Sequence, residues 1–183
     1  SSSSVIEDLT NQLTIDAVLA FIRCEMRSNA YKHPLVVDNY FYQRFVEEKD
    51  YLLIWLYSNH YYVILIVQGK VYVADGADNY VHNRKAQQKL ESSLGLSINV
   101  CKYNCQQTGL DHCGSSAILI ALEFIRMAKS GEIRRELIVR KPFKKYLVKL
   151  LHPLDTKIVG GSDNVADRMR ANYCQYCNRF FRI

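Results

Sequence analysis

The chain has 183 residues, 49% of them apolar, which is enough to bury a real core, and it reads as one domain over 1–183 with a disordered or tag-derived leader at 1–7. Its most apolar runs, 51–57 and 61–67, are interrupted at Ser58-Asn59-His60. Both fall short of the roughly 20 residues that a membrane-spanning helix needs, so a membrane protein is excluded and a soluble monomer is expected. The net charge of +6 gathers in the second half and favours acidic partners, but the basic residues interleave with apolar ones as on any solvated helix face, which leaves nucleic acid only a secondary option.

Thr14 can cap a helix whose apolar residues Ile15, Val18, Leu19, Ile22 and Met26 recur every three or four positions, with Asp16 in the favoured first turn. The spacing predicts a helix ending near Ser28. After His33-Pro34 comes a short apolar piece at 35–37, and Asp38 then stands where it can cap a second short helix through Phe45. Three β-rich runs come next, 52–57, 61–67 and 71–74, the last two joined by Gln68-Gly69-Lys70; they predict an antiparallel meander with buried central strands.

Residues 84–94 predict a helix stopped by Gly95, and 97–101 another short strand. Residues 102–112 carry no periodicity. An apolar helix returns over 113–129 through Ile118, Leu119, Leu122, Ile125 and Met127, with Cys113 in its first turn. Pro142 suits the start of a helix over 143–151 that Pro153 ends, and a last helix is expected over 164–180, so 130–183 reads as a helical tail of the domain. Helices, an antiparallel sheet and helices again define the α+β class.

A nucleophilic cysteine needs its thiolate favoured and a base within reach, and a helix N-terminus supplies positive potential for that thiolate. Cys113 stands at such a terminus. Gly114 leaves room for a substrate carbonyl beside the backbone, where the Cys113 N–H can donate to an oxyanion. Gln107, six residues earlier, can fold its carboxamide back as the second donor, with Gln106 as the fallback. His60 falls between two β-rich runs, where a short exposed turn can present an imidazole that titrates in the range a thiol base requires. Asp75 ends the third run before Gly76, so its carboxylate can lie beside His60 across antiparallel strands and hold the tautomer. His112 competes as base because it adjoins Cys113, but neighbours at a helix start point in different directions. Each residue alone also fits a core or turn role; their joint order favours catalysis.

Six cysteines in a chain without a visible secretory signal suggest reduced thiols in the cytoplasm or nucleus, or in a host cytosol for an effector or viral protein. Cys101-x3-Cys105 and Cys174-x2-Cys177 together supply four thiolates of the kind that binds zinc, but these spacings are unspecific and no metal is assigned. The single tryptophan, Trp55, reads as core, and among the tyrosines Tyr61 is the one to place beside a substrate.

The segments NHYYVILIVQGKVYVADGAD and CQQTGLDHCGSSAILIAL resemble the protease family that processes and deconjugates SUMO and other ubiquitin-like proteins, in the same clan as adenovirus protease. The resemblance rests on His60-Tyr61 at a strand edge, Asp75 ending the next strand, and Gln107 to Gly114 opening a helix. Residues 8–22 resemble the family's first helix, so the likeness covers about 8–130. It implies a papain-like fold in which Cys113, His60, Asp75 and Gln107 are catalytic. SUMO-directed members carry tryptophans over a diglycine tunnel; the matching positions here are Tyr61 and Gln12, and His112 stands between Asp111 and Cys113 where the family has Asp directly before Cys. Tyr61, Gln12 and Gly114 are the implied substrate contacts.

The function so implied is a cysteine peptidase or isopeptidase, a deubiquitinase or deSUMOylase cleaving after the C-terminal Gly-Gly of ubiquitin or a ubiquitin-like protein, without a cofactor. The alternatives are a viral or transposon polyprotein-processing protease, an acyltransferase using the same three groups, and an inactive module that binds a modifier or nucleic acid.

Overall fold

The computed structural model describes residues 14–28, 35–40, 48–76, 80–103 and 113–137. In chain order these form α1 (Ile15–Ser28), β1 (Leu35–Asn39), β2 (Asp50–Tyr57), β3 (His60–Val67), β4 (Lys70–Ala74), α2 (Tyr80–Leu94), β5 (Ile98–Val100), β6 (Lys102–Tyr103), α3 (Cys113–Ser130) and β7 (Glu136–Leu137).

Two tight turns organise the middle of the chain. Ser58 and Asn59 have φ of 52° and 58°, and Gln68 and Gly69 have 51° and 74°. Positive φ at both central residues matches the twist of a two-residue hairpin, and Asn and Gly adopt it at least cost. The turns set the antiparallel registers Tyr57↔His60 in β2/β3 and Val67↔Lys70 in β3/β4.

The five-stranded sheet has the order β1-β2-β3-β4-β5. Its outer pairs, β1/β2 and β4/β5, are parallel. The expected antiparallel meander is present as β2–β3–β4, while the parallel outer pairs correct a mainly antiparallel sheet to a mixed one. Parallel neighbours need a crossover, and α2 supplies it between β4 and β5. The segment predicted as a helix from Asp38 begins instead inside strand β1, where Asp38 accepts a 2.7 Å bond from the Asn39 N–H. Arg23 of α1 ties down the same strand, donating to the Val37 carbonyl at 2.7 Å.

Helices cover both faces of the sheet, which explains why all eight residues of β3 are buried and read as a continuous apolar run. On one face Leu52, Ile54, Tyr61, Val63 and Leu65 pack with Val18, Phe21 and Ile22 of α1 and Ala117, Ile118, Ala121 and Phe124 of α3. On the other, Leu53, Trp55, Tyr62, Ile64 and Val73 pack with Ala86 and Leu90 of α2. Of the apolar positions predicted to face the core in α3, Ile118, Ile125 and Met127 are buried and Leu119 and Leu122 partly so; Ala117, Ile120, Ala121 and Phe124 complete the covered face.

Gly95 closes α2 at φ 66°, its N–H donating to the Glu91 carbonyl at 2.8 Å. After α3 the chain does not continue as a helix: β7 pairs in parallel with β6 and buries Leu137 beside Tyr103, correcting the start of the expected helical tail. The helices expected over 143–151 and 164–180 lie outside the described residues. Among the described residues no helix is long and apolar enough to cross a membrane.

Candidate active site

His60 is the first residue of β3, directly after the Ser58-Asn59 turn. It is buried, at 9% exposure, which corrects the expectation of an imidazole on an exposed turn. The turn residues themselves take the solvent. Because His60 pairs with Tyr57, and Tyr57 packs on the α2 side, the imidazole lies on that face of the sheet.

Asp75 comes directly after β4 and is 6% exposed. Val73 faces α2, so strand alternation brings Asp75 to the same face two positions later. The result is a buried bond of 2.6 Å between His60 Nε2 and Asp75 Oδ2. An ionised carboxylate only accepts hydrogen bonds, so Nε2 carries the proton and donates. In the neutral ring Nδ1 then holds the lone pair, which makes Nδ1 the atom able to take a proton from a thiol.

Asp75 also borders a recess whose other walls include Tyr62, Val73, Ala86 and Val100. In such apolar surroundings a carboxylate is costly to bury without strong donors, and His60 supplies one. Burial lifts the Tyr62 phenol above its ordinary range, and Asp75, then Tyr57, push it further.

The imidazole has an aromatic neighbour that sequence reasoning missed. The Tyr62 ring stands edge-on to it, with centroids 5.1 Å apart at 84°. Behind Tyr62 lies Trp55 at 5.4 Å, and Trp55 stacks on Tyr57 at 4.7 Å and meets Tyr40 edge-on at 5.5 Å. The available signal was the period of two along β3, which puts residues 60 and 62 on one face.

Cys113 opens α3, whose N-terminus carries the positive end of the helix dipole. Its side chain lies outside what the structure describes, as do Gln107, Gln106, Gln12 and His112. Gly114 is buried in the first turn, close to the buried Ser116. Tyr61 is 5% exposed and belongs to the core beneath α1 and α3. Of the residues singled out from the sequence, His60 and Asp75 are therefore joined by a direct bond.

Cys101 is a core thiol on the α3 side, its Sγ 3.9 Å from the Arg134 carbonyl. Burial pushes this thiol up to about 11, against a smaller opposing pull from Arg135. A protonated, enclosed thiol is neither a ready nucleophile nor a ready metal ligand. The other members of the cysteine quartet, Cys105, Cys174 and Cys177, lie outside the described residues.

No family model and no curated protein sequence matches the chain. Among solved structures, a crystal structure of a de-sumoylating protease is similar over 98% of this chain and 88% of that one, with 11% sequence identity and a TM-score of 0.48. So distant a likeness decides nothing about chemistry, which has to be argued from the side chains themselves.

Proposed function

We propose that this protein is a papain-like thiol peptidase or isopeptidase that cleaves after the C-terminal Gly-Gly of ubiquitin or a ubiquitin-like modifier, with Cys113 as nucleophile, His60 as base and acid, Asp75 as the orienting carboxylate and Gln107 as an oxyanion donor. The observation that carries the reading is the buried 2.6 Å bond from His60 Nε2 to Asp75 Oδ2. It supports a proton acceptor at Nδ1, and a cysteine at a helix N-terminus is the kind of acid such a base activates.

In this reading the Cys113 thiol gives its proton to Nδ1 while Sγ attacks the carbonyl carbon of the terminal glycine. The Cys113 N–H and the Gln107 carboxamide hold the resulting oxyanion, and Gly114 leaves the carbonyl room to approach. Collapse of the tetrahedral intermediate expels the lysine amine, which takes the proton from Nδ1 and leaves a thioester. Water, deprotonated by the same nitrogen, then attacks the thioester; the modifier departs with a free carboxylate and the thiol is restored. Asp75 keeps the imidazole in one tautomer throughout. In this reading a channel too narrow for side chains selects Gly-Gly by excluding them.

Electrophilic probes built on the C-termini of ubiquitin, SUMO and other modifiers test the reading against wild type and Cys113→Ala. At least one probe is expected to form an adduct with wild type and none with the variant. Failure of every probe on folded wild type would sink it.

A polyprotein-processing peptidase is the second reading, and one observation favours it: Trp55 and Tyr61 are both built into the core, which leaves neither to roof a diglycine tunnel. Cleavage of a peptide library by a wild type that ignores every modifier probe would decide for it.

A further inference from the structure

The bond to Asp75 fixes one atom of His60, yet a ring pinned at one corner can still rock about that bond. Three features of Tyr62 bear on this freedom. Its ring meets the imidazole at 5.1 Å and 84°, an edge-to-face geometry that favours one relative orientation. It is 2% exposed and backed by Trp55, so it cannot swing aside. Finally, the β3/β4 register places Val63 opposite Ala74, so the next pair outward sets Tyr62 against Asp75, and one side chain borders both members of the bonded pair.

We infer that Tyr62 is a positioning residue: its ring fixes the plane of the His60 imidazole, while Asp75 fixes its tautomer. The catalytic consequence rests on the thiol-peptidase reading; the lock itself does not. Burial and the neighbouring carboxylate both keep the phenol neutral, so it adds no charge to the pair at working pH. The ring is the operative part, and Phe should replace it.

The test uses the full chain as wild type, Tyr62→Phe and Tyr62→Leu, with circular dichroism to confirm folding. Heteronuclear NMR reads the His60 Nε2 proton. In wild type and Tyr62→Phe it should give one downfield resonance, slow to exchange, with cross-ring Overhauser contacts to residue 62. In Tyr62→Leu its exchange should quicken about two- to tenfold, the range that one aromatic contact supplies. Turnover should fall about 10- to 100-fold with KM unchanged, since small misplacements of a base are costly. Equal exchange rates in Tyr62→Leu and wild type would overturn the proposal. Should the Leu variant not fold, wild type lacking the Overhauser contacts would overturn it equally. The NMR signal needs no substrate, so a failed lock and a failed peptidase reading give different results.

Discussion

Replacing Cys101 by alanine turns its buried thiol into a measurable pH effect. The thiol titrates near 9.0 in an ordinary setting and is raised to about 11 in the fold. Below 9 both folded and unfolded chains hold the proton, and the stabilisation is fully present. As pH rises from 9 the unfolded chain ionises first, so the contribution fades and is lost as pH passes through the folded value near 11. Two pH units put the whole effect at about 3 kcal/mol, of which roughly half should disappear between pH 8 and pH 10. Wild type and Cys101→Ala are to be unfolded in urea, under reducing conditions, at several pH values. Trp55, the single tryptophan and buried, supplies the fluorescence signal. Tyr62 also loses stabilisation at high pH, but it is common to both proteins and cancels in their difference. The stability gap should shrink with rising pH; two parallel curves would refute the reasoning.

Asp75→Asn should leave the fold intact and lower turnover about 10³- to 10⁴-fold, because an amide can face the ring with its NH₂ and favour the wrong tautomer. Single-turnover kinetics with a reactive probe checks this, and an unimpaired variant would remove Asp75 from the mechanism. Asn59→Val puts a β-branched residue at φ 58° and should cost about 1–2 kcal/mol, seen as a lower thermal midpoint, whereas Asn59→Gly should hold or raise it.

What the sequence made legible has a physical pattern. The α1 helix and the β2–β4 meander were readable because their signals are local: three- and four-residue spacing in one, turn residues between apolar runs in the other. The His60–Asp75 bond was readable for a related reason, since two short turns fix which residues meet. Parallel pairing of β1 with β2, and of β5 with β4, was hidden because it depends on crossovers rather than neighbours. Asp38 misled, because a helix cap and a strand residue bonding the next N–H use the same side chain. The part of the α3 face made by Ala117 and Ala121 escaped because alanines score weakly in an apolar pattern. Tyr62 carries no signal of its own in the sequence, since its contact with His60 appears only once the face of the imidazole is known.

The sheet has a different helix layer on each face, and the elements of the proposed chemistry are divided between them. His60 and Asp75 sit on the α2 side, while Cys113 begins the helix that packs on the other. The base and its carboxylate belong to the strands themselves, so before α3 docks the proposed chemistry has a base without a nucleophile. Under the proposed reading, such a division would keep the chain chemically silent until α3 docks on the sheet.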